Sequence, residues 1–126
     1  MKKSIIIIDD DPLSVYMNTK LLTEALGPSE ILTFELVQEA LEYFASADYV
    51  PPDLVLLDIN FPVMNAWDFL EALPQHNIDP ETLPLVLLSS FLSPEDREKI
   101  VRYGMEQAVL IKPLKIAELL RLPLMK

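Results

Sequence analysis

The chain alternates short unbroken apolar runs with longer stretches in which apolar residues recur at helical spacing. Ile5-Ile6-Ile7-Ile8, Leu54-Val55-Leu56-Leu57, Leu85-Val86-Leu87-Leu88 and Ala108 to Ile111 are the unbroken runs, and Ile31-Leu32-Thr33-Phe34 is a weaker one after Pro28. Runs of this length and composition suit strands covered on both faces, as in a parallel sheet flanked by helices. Pro62 is expected to stop the third strand just beyond its apolar run. Between the runs, Asp11 reads as an N-cap with Pro12 in the first turn. The helix it opens, from Leu13 to Leu26, carries Val15, Leu22 and Leu26 and ends at Gly27. Val37, Ala40, Leu41 and Phe44 mark one face of a second helix. Trp67, Phe69, Leu70 and Leu73 predict a short third helix up to Pro74, after which Gln75 to Leu83 reads as a loop. Ser93, Pro94, Glu95 and Asp96 open a helix expected to run from Pro94 to Tyr103 and stop at Gly104, and a last helix is expected from Lys115 to about Leu122, before Pro123.

Five βα units in strict alternation predict an α/β fold: a five-stranded parallel sheet with helices on both faces. Right-handed crossovers leave few topologies, and the flavodoxin-like strand order 2-1-3-4-5 is the one expected. No internal repeat, low-complexity tract or linker divides residues 1–126, so one domain is expected.

Composition narrows the chemistry. Twenty acidic against ten basic residues give a formal charge of −10, which opposes a grip on nucleic-acid phosphates or anionic lipid. The absence of cysteine excludes disulfides, thiolate nucleophiles and cysteine-zinc sites, and the lone His76 excludes a polyhistidine metal cage and reads as a loop residue. The apolar run after Met1-Lys2-Lys3 is cut off by Asp9, short of the roughly 7 to 15 residues of a secretory core. No run approaches the roughly 20 residues of a membrane span. A soluble, cytoplasmic chain with no membrane or direct nucleic-acid contact is the expectation.

In the expected strand order, the carboxyl ends of strands 1, 3, 4 and 5 open onto one edge, where such sheets bind their ligands. Asp9, Asp10, Asp58, Ser89 and Lys112 each stand at the end of one of these runs. Carboxylates gathered in one place repel and raise one another's pKa unless a cation sits among them. Magnesium takes oxygen ligands and keeps several waters, so Asp10, Asp58 and the main-chain oxygen of Asn60, with Asp9 beside them, are candidate metal ligands. Aspartate is also a competent nucleophile towards phosphorus, which makes Asp58 the candidate acceptor, with Lys112 offering positive charge and Ser89 a hydroxyl donor once the group has arrived. Singly, each has a simpler reading: Asp9-Asp10-Asp11 as a helix cap, Ser89 as a turn residue, Lys112 as a solvated strand end. Their joint placement is what the simpler readings do not explain.

Four segments carry a family resemblance: Ile5 to Pro12 (IIIIDDDP), Pro52 to Leu70 (PDLVLLDINFPVMNAWDFL), Leu85 to Asp96 (LVLLSSFLSPED) and Leu110 to Leu114 (LIKPL). The chain resembles the receiver domains of two-component response regulators over nearly its whole length. The resemblance implies that Asp58 is the phosphoacceptor, Asp9 and Asp10 the acidic pair with Asp10 the direct metal ligand, Ser89 the switch hydroxyl, and Lys112 the lysine before a cis-prone proline. It further implies magnesium-dependent transfer from a histidine kinase or histidine phosphotransfer protein, and a signalling module rather than an enzyme, acting through altered docking. With no output domain after Lys126, a stand-alone phosphoacceptor is the first expectation, beside that of a fragment of a longer regulator.

Departures qualify the resemblance. Ala66 stands where the family usually has glycine, a cost of about 1 kcal/mol if the backbone there needs positive φ. Val109 stands where many members carry a switching aromatic, and Ser89 lacks the β-branch of threonine. The short last helix puts the output face between the last two helices in question. Two alternatives stay open: a docking module that is never phosphorylated, and an aspartate-nucleophile phosphohydrolase, which Asn60 disfavours because it stands where a second carboxylate would act as general acid.

Overall fold

The computed structural model describes residues 2–61 and 64–126; Pro62, the expected strand stop, lies outside the described residues together with Val63 and Met1. The strands are β1 (Lys3–Ile8), β2 (Ser29–Phe34), β3 (Leu54–Asp58), β4 (Leu85–Ser89) and β5 (Val109–Ile111), and the α-helices are α1 (Pro12–Leu26), α2 (Val37–Ala45), α3 (Ala66–Ala72), α4 (Pro94–Arg102) and α5 (Ile116–Leu120). The sheet runs β2-β1-β3-β4-β5 with every pair parallel, the order expected from the sequence.

The unbroken apolar runs are explained by two cores, because successive strand residues point to opposite faces. Ile6, Ile8, Val55, Leu57, Leu85 and Leu87 pack beneath α2, α3 and α4, through Phe44, Phe69 and Ile100 among others. Ile5, Ile7, Leu54, Leu56, Val86 and Leu88 pack beneath α1 and α5, through Leu22 and Leu119. A polar residue within Ile5 to Ile8 or anywhere in β3 and β4 would therefore be buried. Polar side chains are confined to the strand ends, and Asp58 and Ser89 are the last residues of β3 and β4.

Helix boundaries follow local chemistry. Asp11 caps α1 by accepting from the Leu13 amide at 3.0 Å, and Gly27 ends that helix at φ 80°. Asn65 and Ser93 cap α3 and α4 as reciprocal boxes with Asp68 and Asp96. Three expectations are corrected. The loop from Gln75 to Leu83 contains the 3₁₀ turn Pro80–Thr82 and the end of another, Leu73–His76, which Asn77 closes at φ 61°. The last helix ends at Leu120, and Pro123 instead opens a 3₁₀ turn over Pro123–Met125. Ala66 needs no glycine: it is the first residue of α3, and among the described residues Asn77 is the non-glycine with positive φ.

Trp67 ties α3 to α4. Its indole is 5% exposed, stacks on Tyr103 with centroids 5.9 Å apart, and donates from Nε1 to Asp96 Oδ1 at 3.1 Å. Asp96 thus serves both the α4 cap and the helix beside it.

Two stability outcomes are expected in urea unfolding followed by circular dichroism. Ala66→Gly should destabilise by about 1 kcal/mol, since a helical, fully buried position loses a methyl group and gains backbone freedom; a stabilising effect would restore the positive-φ reading. Trp67→Ala should cost about 3–5 kcal/mol.

Candidate functional site

Strand register assembles the site. Ile8 pairs with Leu57, so Asp9 follows β1 level with Asp58 at the end of β3. Asp58 pairs with Leu88, and Ser89 with Ile111, which brings Ser89 and Lys112 one residue beyond on the neighbouring strands. The Lys112 amide donates to the Ser89 carbonyl at 2.8 Å, and the Lys112–Pro113 peptide is cis.

The three aspartates that follow β1 divide the work. Asp11 caps the helix; Asp9 is 2% exposed and accepts from the Asp11 amide at 2.9 Å; Asp10 is exposed. The helix-cap reading therefore belongs to Asp11, and Asp9 and Asp10 turn to the site. Carboxylate oxygens of Asp9, Asp10 and Asp58 lie within 4.8 Å of one another. Lys112 Nζ donates to Asp9 Oδ2 at 3.0 Å and to Asp58 Oδ2 at 3.2 Å, and Asp58 Oδ1 accepts from the Asn60 amide at 3.2 Å.

Three carboxylates against one ammonium leave a local excess of two negative charges when all are ionised. Burial pushes the Asp58 carboxyl above its ordinary pKa; the Asn60 amide and Lys112 pull it down without cancelling that, and Asp9 pushes it further up. For Lys112 burial alone would lower the pKa, but its hydrogen bond to Asp9 and the charges of Asp58 and Asp9 outweigh it, so the ammonium is held more firmly than in water. The donor set of hard oxygens, one of them on the exposed Asp10, fits a divalent cation that keeps part of its water shell.

Ser89 is fully buried and sits in a different relation to Asp58 from Lys112. Its hydroxyl donates to the Phe91 carbonyl at 2.6 Å and accepts from the Phe91 amide at 3.1 Å and from Asn60 Nδ2 at 3.0 Å. Asn60 therefore touches both Asp58 and Ser89. Sequence reading assigns Asn60 a main-chain role and Phe91 none. A carbonyl partner leaves no trace in residue identity, and the amide two residues past Asp58 was legible only as the wrong residue for an acid. Val109 lies in β5, partly buried against the α2–α3–α4 core.

The family model described as the response regulator receiver domain matches residues 5–122. The transcriptional regulatory protein CusR of Escherichia coli (strain K12) is 32% identical over 116 residues, covering 92% of this chain and 47% of its own length. The chain thus spans about half of that relative. Among solved structures, a two-component response regulator from Cytophaga hutchinsonii is 28% identical with a TM-score of 0.76, over 97% of this chain and 95% of its own. The receiver domain of the sensor histidine kinase PA1611 from Pseudomonas aeruginosa PAO1, which has a magnesium ion coordinated in its active site cleft, shares the fold at 21% identity. It has a TM-score of 0.72, over 96% of this chain and 93% of its own. No helix among the described residues is long and apolar enough to cross a membrane. With a match that runs from β1 to just past α5, the chain belongs to the response regulator receiver domains, the signalling modules of two-component systems.

Proposed function

We propose that Asp58 accepts a phosphoryl group from the phosphohistidine of a histidine kinase or histidine phosphotransfer protein, and that the acyl phosphate alters docking to a partner. The observation that carries this reading is the Asp58 carboxylate at the end of β3, flanked by Lys112 and the acidic pair. A carboxylate oxygen of Asp58 attacks phosphorus, the P–N bond breaks and its electron pair leaves with the imidazole. Asp9, Asp10, Asp58 and the main-chain oxygen of Asn60 would hold magnesium, which when bound supplies positive charge to the phosphoryl oxygens.

The remaining work falls to this chain's own groups. Lys112 opposes the effect of burial on Asp58 and so favours the ionised, nucleophilic form of its carboxyl. Asp9 holds Lys112 between the two carboxylates and keeps the ammonium charged. The Asn60 amide orients one Asp58 oxygen. The pairing of Asp9, Lys112 and Asp58 supports this reading over a module that docks without phosphorylation, and the amide of Asn60, which has no acidic proton to give, weighs against a phosphohydrolase.

Intact mass after incubation with acetyl phosphate and magnesium is the direct test. One phosphoryl adduct is expected on the wild type and none on Asp58→Ala or without magnesium; an adduct that persisted on Asp58→Ala would overturn the assignment. Lys112→Ala should slow formation of the adduct by about a hundred-fold, the scale for losing one preorganised charge donor.

The raised pKa of Asp58 also has a stability consequence. A carboxyl whose pKa is higher in the fold than in the unfolded chain stabilises the fold while protonated and loses that contribution as pH rises through the folded value. Ionising Asp58 without metal is therefore a cost to the fold. Asp58→Asn should raise the melting temperature at pH 7 in a chelator. Magnesium should raise that of the wild type more than that of the variant, as differential scanning calorimetry would measure.

A further inference from the structure

We propose that the side chain of Asn60 is a latch that holds the Ser89 hydroxyl in the unphosphorylated arrangement, so that Asn60 sets how readily Ser89 is released to a phosphoryl group on Asp58. The inference rests on the phosphoacceptor reading and adds to it a positioning residue that acts through Ser89.

A serine hydroxyl has one proton to donate and two lone pairs to accept with. In Ser89 all three are used, the proton by the Phe91 carbonyl and the lone pairs by the Phe91 amide and Asn60 Nδ2. No capacity is left over for a group on Asp58. To donate there, the hydroxyl must withdraw its proton from Phe91 and turn its lone pairs with it, and the bond from Asn60 is lost in the same movement. Ser89 is sealed from water, so its alternatives are limited to these partners and the phosphoryl oxygens.

The side-chain partner that is let go is differently placed. Asn60 is an exposed residue, and water can take up the side-chain amide that Ser89 leaves behind. Breaking the Asn60 contact therefore costs only the net worth of one hydrogen bond rather than the burial of an orphaned group. That difference makes the contact a latch rather than a lock. The backbone amide of Asn60 bonds Asp58 Oδ1 while its side chain bonds Ser89, so one residue registers the state of both groups.

A contact present in one state and absent in the other shifts the equilibrium between them by its own free energy. Removing it should favour the released hydroxyl, and the gain should require the Ser89 hydroxyl. The test is a double-mutant cycle of affinity for beryllofluoride, an acyl phosphate mimic, in magnesium by isothermal titration calorimetry. Wild type, Asn60→Ala, Ser89→Ala and the double variant are compared, with Asp58→Asn as the control for site-specific binding. Asn60 is exposed and alanine preserves its backbone, so the variant leaves the core and the main-chain oxygen in place.

Asn60→Ala is expected to tighten binding about five-fold more in the wild-type background than in the Ser89→Ala background, the scale of one net neutral hydrogen bond. Equal effects in the two backgrounds, or a smaller gain with serine, would overturn the latch while leaving Asp58-dependent binding intact. Beryllofluoride binding that was absent from the wild type, or undiminished in Asp58→Asn, would instead strike at the phosphoacceptor reading and remove the latch with it.

Discussion

The Lys112 ammonium lies between two nearly buried carboxylates at the carboxyl ends of strands that are neighbours in the sheet, and the site depends on that arrangement. Asp9 and Asp58 are 2% and 7% exposed, so neither can be stabilised by water as it would be in the unfolded chain. A single cation reaches both, at 3.0 and 3.2 Å, from the far side of β4. Without it, two like charges would face each other in a poorly solvated crevice, where repulsion is strongest. With it, the pair is tolerated but not neutralised, because Asp10 adds a third carboxylate. The remaining negative charge suits this edge to a divalent cation.

The rest of the sheet serves to hold these charges still. The apolar runs of the three central strands are buried on both faces, and their registers differ by no more than one residue at the carboxyl ends. Slipping a strand by one residue would swap its two faces and expose half of each core. The hydrophobic pattern therefore specifies the relative positions of Asp9, Asp58, Ser89 and Lys112 indirectly, through the penalty for any other pairing. This is why a site made of four separate segments can be held to hydrogen-bonding distances with no disulfide in the chain.

Sheet order and the positions of the charged groups were legible in the sequence because both follow from where apolar runs stop. Ile5 to Ile8 and Leu54 to Leu57 have the composition of doubly covered strands, and the residue that ends each run is the one that reaches the crevice. Helix ends were legible where a cap spelled them out, as at Asp11 and Ser93, and less so near the C-terminus, where Pro123 permits a 3₁₀ turn as well as a stop. The doubt about Ala66 came from comparing residue types without the backbone: in this chain Asn65 caps the helix and Ala66 begins it, so no left-handed residue is called for. The links from Ser89 to Phe91 were illegible for a deeper reason. They run to main-chain atoms, which every residue possesses, so no pattern of side chains reports them.

The absence of an aromatic residue at Val109 changes what the Ser89 hydroxyl can be coupled to. Where such a residue packs inward as a hydroxyl moves, the signal is carried by side-chain volume; Val109 is too small and, with its β-branch, too stiff to fill that role. What Ser89 does hold is backbone, the amide and carbonyl of Phe91, two residues before the α4 cap at Ser93. That cap is shared: Asp96 bonds the Ser93 amide through one oxygen and the Trp67 indole through the other, so the start of α4 and the first turn of α3 meet at one carboxylate. The exposed Phe91 ring lies on the turn that the hydroxyl closes. Opening that turn would move the exposed Phe91 ring and the lead-in to α4 together, a route through hydrogen bonds to the main chain rather than through a rotating ring.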